Sequence, residues 1–251
     1  MSKQARLEHR RAAERAQAQR AQRHHRLRRL SAAAAAAIVA VAVAVAVAVA
    51  VSSAGGEKAP PPAASFSVLA GLPERGGLLG APGAPLTVTE YVDLQCPVCA
   101  EAARTTLPTV VREYVRAGRV KLQARTLSFL GPDSVRAARV AAGAERQGRL
   151  WPFLEAFFAR QGTENSGFVT DGFLREVADA AGVDAAKAIA QAGSPFASGR
   201  LSLANADAAR VGVDGTPSLT VRRGNGAERP LDADPLDPAS VAAALDRELA
   251  R

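Results

Sequence analysis

The only two cysteines of the chain stand three positions apart, as Cys96-Pro97-Val98-Cys99, where a strand pattern gives way to a helix pattern. Before them, residues 86–94 read LTVTEYVDL, a β-branched and aromatic run that predicts a strand. After them, Leu107, Val110, Val111, Tyr114 and Val115 fall on one face of a helix over 100–117, kinked at Pro108 and ended by Gly118. The N–H groups of a helix's first turn are unpaired and carry partial positive charge. A thiolate held there is stabilised, so its pKa falls and it becomes a better-populated nucleophile and a better leaving group. Cys96 is therefore expected at the helix start, partly exposed, as the attacking thiol. Cys99, one turn in, is expected to be more buried and to act as the resolving thiol. Pro97 suits the first helical turn, where its missing N–H costs nothing.

Other uses of the pair are less well supported. A purely structural disulfide closing so small a ring removes little entropy from the unfolded chain. A zinc site needs two more ligands, and all three histidines (His9, His24, His25) lie in the first 30 residues. The rest of the chain has no His, which also excludes a Ser-His-Asp triad there. Two inert buried thiols remain possible in principle, but Cys-Pro-Val-Cys at a strand–helix junction favours redox chemistry. Neither metal nor cofactor is expected.

The formal net charge of +8 belongs to one end of the chain. Residues 1–30 hold ten Lys/Arg and two Glu, and the remainder holds 22 basic and 22 acidic side chains. This is the signature of a basic cytoplasmic tail, not of a folded surface for nucleic acid, and no nucleic-acid partner is expected. Residues 32–51 are then twelve Ala, seven Val and Ile38, without a charge. A helix of this length spans about 30 Å, the thickness of the hydrocarbon layer. The Ala-Val alternation imitates a strand, but an open strand leaves its backbone unpaired in lipid, so a helix is expected. With Arg26, Arg28 and Arg29 just before it, the positive-inside rule puts the N-terminus in the cytoplasm and the rest outside the cell membrane. A single-pass anchor over 31–51 competes with a cleaved signal peptide. The apolar run is longer than the usual ~7–15-residue core of such a peptide, which favours the anchor.

Residues 52–85 are rich in Gly, Pro, Ala and Ser and read as a linker, with Phe66-Ser67-Val68-Leu69 a possible first strand. The folded domain is expected over 86–251. A second strand is predicted over 120–126. A helical block of about 132–211 follows: one helix capped at Asp133 or Ser134, one carrying Trp151, Phe153, Leu154, Phe157 and Phe158, one from Thr170 to Gly182, and two near 185–192 and 198–211. The aromatic residues around Trp151 are expected to form the core of that block. Strand character returns over 218–222, Gly224-Asn225-Gly226 suggests a hairpin, and 238–249 closes the chain as a helix.

Gly215-Thr216-Pro217-Ser218 precedes that last strand, where a proline marks an edge or a special turn. Together, YVDLQCPVC, the helical insertion and GTPS resemble the DsbA-like branch of the thioredoxin superfamily over about 86–251. The resemblance implies an α/β thioredoxin-like fold with an inserted helical domain, here behind a single N-terminal transmembrane helix. It implies that Thr216-Pro217 is cis, lies against the cysteines and contributes to substrate binding. It also implies a buried acid six residues ahead of the first cysteine, which is Glu90; from pattern alone, a Glu on a strand is commonly a surface residue. Asp93 matches another frequent acidic position. Two departures matter. Val98 stands where the strongest oxidants of the family have His, which implies a milder pKa depression at Cys96. Gln95 stands where thioredoxins have Trp.

The expected activity is thiol–disulfide exchange through a Cys96–Cys99 redox disulfide, with Glu90 as a proton relay. The expected direction is oxidation of secreted or membrane proteins, with electrons passing to a membrane quinone-linked partner that the family implies. A tethered reductase or isomerase, and a non-catalytic peptide-binding module, are the alternatives.

Overall fold

The computed structural model describes residues 66–251. The expected basic tail (1–30), the membrane span (31–51) and residues 52–65 of the expected linker lie outside the described residues. Among those described, no helix is long and apolar enough to cross a membrane.

The described chain opens with a short helix α1 (Phe66–Leu69) and two short strands, β1 (Glu74–Arg75) and β2 (Leu78–Leu79). The central strand β3 (Leu86–Asp93) feeds helix α2 (Pro97–Val110), which passes into a π-helical turn, Val111–Val115. After β4 (Val120–Leu127) come five helices: α3 (Pro132–Arg146), α4 (Leu150–Phe158), α5 (Asp171–Ala181), α6 (Ala185–Gln191) and α7 (Pro195–Val211). The chain returns through β5 (Ser218–Arg223) and β6 (Arg229–Pro230) and ends on α8 (Pro238–Leu249). The sheet order is β1-β2-β4-β3-β5-β6, with β3 and β4 parallel and the other pairs antiparallel.

β3 lies at the middle of the sheet, and all eight of its residues are buried. Its side chains alternate between two covered faces. Leu86, Val88 and Val92 join the main core with residues of α2 and α8. Tyr91 packs on the other face with Leu127 of β4 and with Ala204 and Ala208 of α7. An ion pair ties α7 to the sheet on that side, with Arg125 Nε 2.8 Å from Asp207 Oδ2.

Side-chain caps set most of the later helix boundaries. Thr170, Asp184, Ser194 and Asp237 each accept a first-turn N–H of the helix they precede. Gly182 and Gly212 end α5 and α7 in the left-handed conformation that favours glycine. The core of the inserted helices centres on Phe157, whose ring meets Phe153, Phe158, Phe168 and Phe173.

Residues 66–85 correct the reading of 52–85 as a linker. The segment 66–69 is helical rather than extended, and Val68, Leu69 and Leu79 are buried in the core. β2 pairs with β4 and covers its outer edge. Helix α4 has no side-chain cap of its own. The Glu74 carboxylate supplies one from β1, accepting the N–H groups of Leu150 (2.6 Å) and Trp151 (3.3 Å). Trp151 Nε1 donates to the carbonyl of Gly77 at 2.9 Å. The hairpin hid from pattern reading because its strands are two residues long and its turn, Gly76-Gly77, reads as linker composition.

Candidate active site

Cys96 is the N-cap of α2, with Pro97 in the first turn. Its sulfur accepts the Cys99 N–H at 3.3 Å, so an amide of the helix start points at it. Both thiols are free. Cys96 lies closer to full burial than the expected partial exposure, with 6% of its surface accessible, while Cys99 has none. The covering group is Thr216, whose carbonyl oxygen lies 3.4 Å from Cys96 Sγ. The Thr216–Pro217 peptide is cis, and it stands just ahead of the first β5 ladder pair, Tyr91↔Ser218.

The two thiols are electrostatically unlike. A hydrogen bond from the Cys99 thiol, then one from the Thr216 side chain, then the N–H groups of Cys99 and Val98, outweigh burial and hold Cys96 down at about 6. Burial, and then the adjoining Cys96, push the Cys99 thiol above the ordinary thiol range. At neutral pH this arrangement presents a thiolate at Cys96 beside a protonated Cys99, a couple able to exchange with an external disulfide or dithiol.

Glu90 is buried on the β3 face that carries Val88 and Val92, not exposed on the surface. Burial alone pushes its carboxyl up to about 7. It lines one pocket together with Ala102 and Thr106 of α2. Cys99, Ala102 and Thr106 follow one another at helical spacing on one stripe of α2. The structure thus brings Cys96, Cys99 and Thr216-Pro217 into one site and sets Glu90 beneath the same helix face.

Five further residues shape the site: Asp93, Gln95, Ser134, Gln161 and Asn165. Asp93 has no exposed surface, and its carboxylate accepts four hydrogen bonds: from the N–H groups of Gln95, Phe129 and Leu130 and from the Ser134 hydroxyl. The Gln95 side chain donates to the Leu130 carbonyl and accepts the N–H of Asn165 at 2.7 Å. Gln161 donates to the carbonyls of Leu94 (2.7 Å) and Cys96 (3.1 Å). The inserted helical block is thereby fastened to the backbone at Leu94 and Cys96 and to the Gln95 side chain between them. Gln95, Ser134, Gln161 and Asn165 escaped pattern reading because their partners lie 35 to 70 positions away. The one available signal was the polar pair Asp93 and Gln95 at the end of a buried strand, since buried polar groups need partners.

A sequence model described as "Thioredoxin" matches residues 74–246. The probable disulfide bond formation protein D of Bacillus cereus is 29% identical over 101 residues, 39% of this chain and 47% of that protein. The chain spans about half the length of the curated relatives it matches. Among solved structures, oxidised BdbD from Bacillus subtilis superposes with a TM-score of 0.61 at 20% identity, covering 72% of this chain and 98% of that one, a likeness of fold. A thioredoxin-like oxidoreductase from Silicibacter pomeroyi gives a TM-score of 0.56 at 28% identity, covering 69% and 92%. The matched span and the cysteine pair at the start of α2 agree: the chain belongs to the thioredoxin family.

Proposed function

We propose that the protein is a membrane-tethered, extracytoplasmic thiol–disulfide oxidoreductase that oxidises dithiols of secreted or membrane proteins through Cys96 and Cys99. The observation that carries this reading is the asymmetry of the thiols, with Cys96 held down at about 6 and Cys99 pushed up. Starting from the Cys96–Cys99 disulfide, a substrate thiolate attacks Cys96 Sγ. A mixed disulfide forms, and the electron pair of the broken bond goes to Cys99, which takes up a proton. A second substrate thiolate attacks the substrate sulfur of the mixed disulfide. The substrate disulfide forms and Cys96 leaves as a thiolate. The two electrons taken from the substrate now rest on the dithiol, and a quinone-linked membrane partner of the kind the family implies removes them. A stabilised Cys96 thiolate favours the dithiol state and therefore substrate oxidation.

In this reading Glu90 gives and takes the Cys99 proton, because the described residues contain no histidine and burial brings Glu90 near the working pH. The backbone of Thr216, ahead of the β5 ladder and against Cys96, pairs with an extended substrate segment held by Pro217. The names of the Bacillus relatives, disulfide bond formation proteins, support the direction. The uncharged run over 32–51 and the arginines before it support the tether and its orientation.

Equilibration of the purified protein with glutathione tests the direction. A reduction potential near that of strong or moderate oxidants, between about −120 and −200 mV, is expected. A value near about −270 mV would make the protein a reductase. Protease added to intact spheroplasts should remove residues 86–251, and a fully protected domain would overturn the orientation.

A further inference from the structure

Thr216-Pro217 is carried by a loop, 212–217, between the end of α7 and the start of β5. The loop contains Gly212 and Gly215, and none of its residues is buried, so its own packing defines its course only weakly. Its two ends are held by one carboxylate. Glu228 stands just ahead of β6, and its side chain is 11% exposed. Its Oε2 accepts from Arg210, near the end of α7, at 3.0 Å. Its Oε1 accepts from the Thr220 hydroxyl of β5 and, at 3.3 Å, from the Tyr91 hydroxyl of β3. Thr89, the ladder partner of Thr220, is a further donor. Against the pull of burial, Thr220, Arg210 and Thr89 hold the Glu228 carboxyl below the usual carboxylate range, so it is ionised at neutral pH.

We propose that Glu228 is the positioning residue that sets how closely Thr216 closes over Cys96, by holding Arg210 at one end of the loop and Thr220 at the other. The inference deepens the exchange reaction proposed above and rests on it, since Thr216 matters there as the backbone that receives an extended substrate. A slide of α7 against β5 is resisted at Glu228. Without that resistance it would pass straight to the Thr216 carbonyl, which lies 3.4 Å from Cys96 Sγ. Tyr91 supplies the third point of the clamp. Its ladder partner is Ser218, the first residue after the cis peptide, and its own strand runs on to Cys96. The loop is therefore referenced to the strand that delivers the cysteine. The Arg125–Asp207 pair fastens α7 to β4, and Asp207 also takes Arg210 at 3.1 Å. Glu228 carries that anchorage across to β5. It works from the sheet face that Tyr91 shares with α7, opposite α2, and so through Thr216 rather than by contact with sulfur. A loop freed from Glu228 has two consequences. Cys96 loses one of the groups that stabilise its thiolate, and the substrate loses an aligned backbone edge.

The test reads the Cys96 thiolate midpoint of the reduced full-length protein, by thiolate absorbance or alkylation rate, in a Glu228→Ala variant. The sign of the shift is diagnostic. Removing a negative charge, by charge alone, would favour the thiolate and lower the midpoint. Loss of positioning raises it, by up to about one pH unit, the worth of one hydrogen bond to the ionised form. The KM for a dithiol peptide should rise several-fold as well. In a Thr216→Val background the Glu228→Ala shift should shrink to less than half, because the two changes act through one contact. A fall, an unmoved midpoint in the folded variant, or a shift of full size in the Thr216→Val background overturns the proposal. Should Glu228→Ala fail to fold, Arg210→Gln severs the clamp at its exposed rim, where the Arg210 side chain is 53% exposed. It should raise the midpoint in the same direction by a smaller amount, and no rise overturns the proposal. Failure of the exchange reading would look different: the unaltered protein would turn over no dithiol peptide, while Glu228→Ala would still raise the Cys96 midpoint.

Discussion

The Ser134 hydroxyl at the start of α3 donates to the Asp93 carboxylate at the end of β3, joining residues 41 positions apart behind the cysteine pair. The same carboxylate holds the N–H groups of Phe129 and Leu130, so one buried side chain fixes both the strand end and the entry to the helical insertion. Asp93→Ala strands all four donors at once. A loss of about 3 kcal/mol or more in urea unfolding is expected, since each unsatisfied buried group costs about 1–3 kcal/mol. A loss under about 1 kcal/mol would show that the network is not a structural hub.

The division of labour between the thiols separates two variants. Cys96→Ala should abolish exchange. Cys99→Ala should accumulate a mixed disulfide between Cys96 and substrate, visible on non-reducing gels, because the resolving thiol is gone. Trapping by Cys96→Ala instead would reverse the assignment.

The Cys96 thiolate should appear with a midpoint near pH 6, followed by thiolate absorbance or alkylation rate. Thr216→Val removes one of the groups that hold it down and should raise the midpoint by up to about one unit. An unfolded thiol titrates near ~8.5, so the depressed folded value stabilises the reduced protein fully above about pH 8.5. That contribution is lost as the pH falls through about 6. A pH-independent difference between the stabilities of the reduced protein and its Cys96→Ala variant would contradict this.

Glu90 carries the opposite pH dependence. Its folded value near 7 lies above the unfolded ~4.3, so its contribution is fully present below about pH 4.3 and is lost as the pH rises through 7. Glu90→Gln removes this loss. The variant should therefore gain on the order of 1–3 kcal/mol over the parent between pH 5 and pH 8. Starting from the reduced protein and a disulfide substrate, release of the mixed disulfide by Cys99 should slow by about 10²-fold or less, with the first attack by Cys96 little changed. Denaturation curves at the two pH values and single-turnover quenching measure the two effects separately.

Local chemistry made much of this molecule readable in advance. The LTVTEYVDL run, the caps at Thr170 and Gly182 and the closing helix from Pro238 depend on neighbours in sequence, and the structure has them at those positions. The cysteine pair was legible because its placement between strand and helix has a direct chemical consequence. Residues whose roles depend on distant partners were not. Gln95 gains its meaning from Leu130 and Asn165, and Glu74 from the amides of α4. Cys96 proved more covered than a helix start implies because Thr216, 120 positions on, closes over it. Pattern alone favoured a surface Glu90 and the resemblance a buried one, and the sheet register, with Glu90 between Ala124 and Leu219, has it buried.

The Glu74–Arg75 and Leu78–Leu79 hairpin has a consequence for where the protein can be cut. A fragment beginning at Leu86 would keep both cysteines and every helix from α2 onward. It would also leave the first amides of α4 without Glu74 and the outer edge of β4 without β2. A bare strand edge beside a parallel pair is a template on which a second molecule can add itself. The smallest piece that keeps this edge covered therefore begins ahead of Glu74, and a shorter one is expected to self-associate before it loses its redox chemistry.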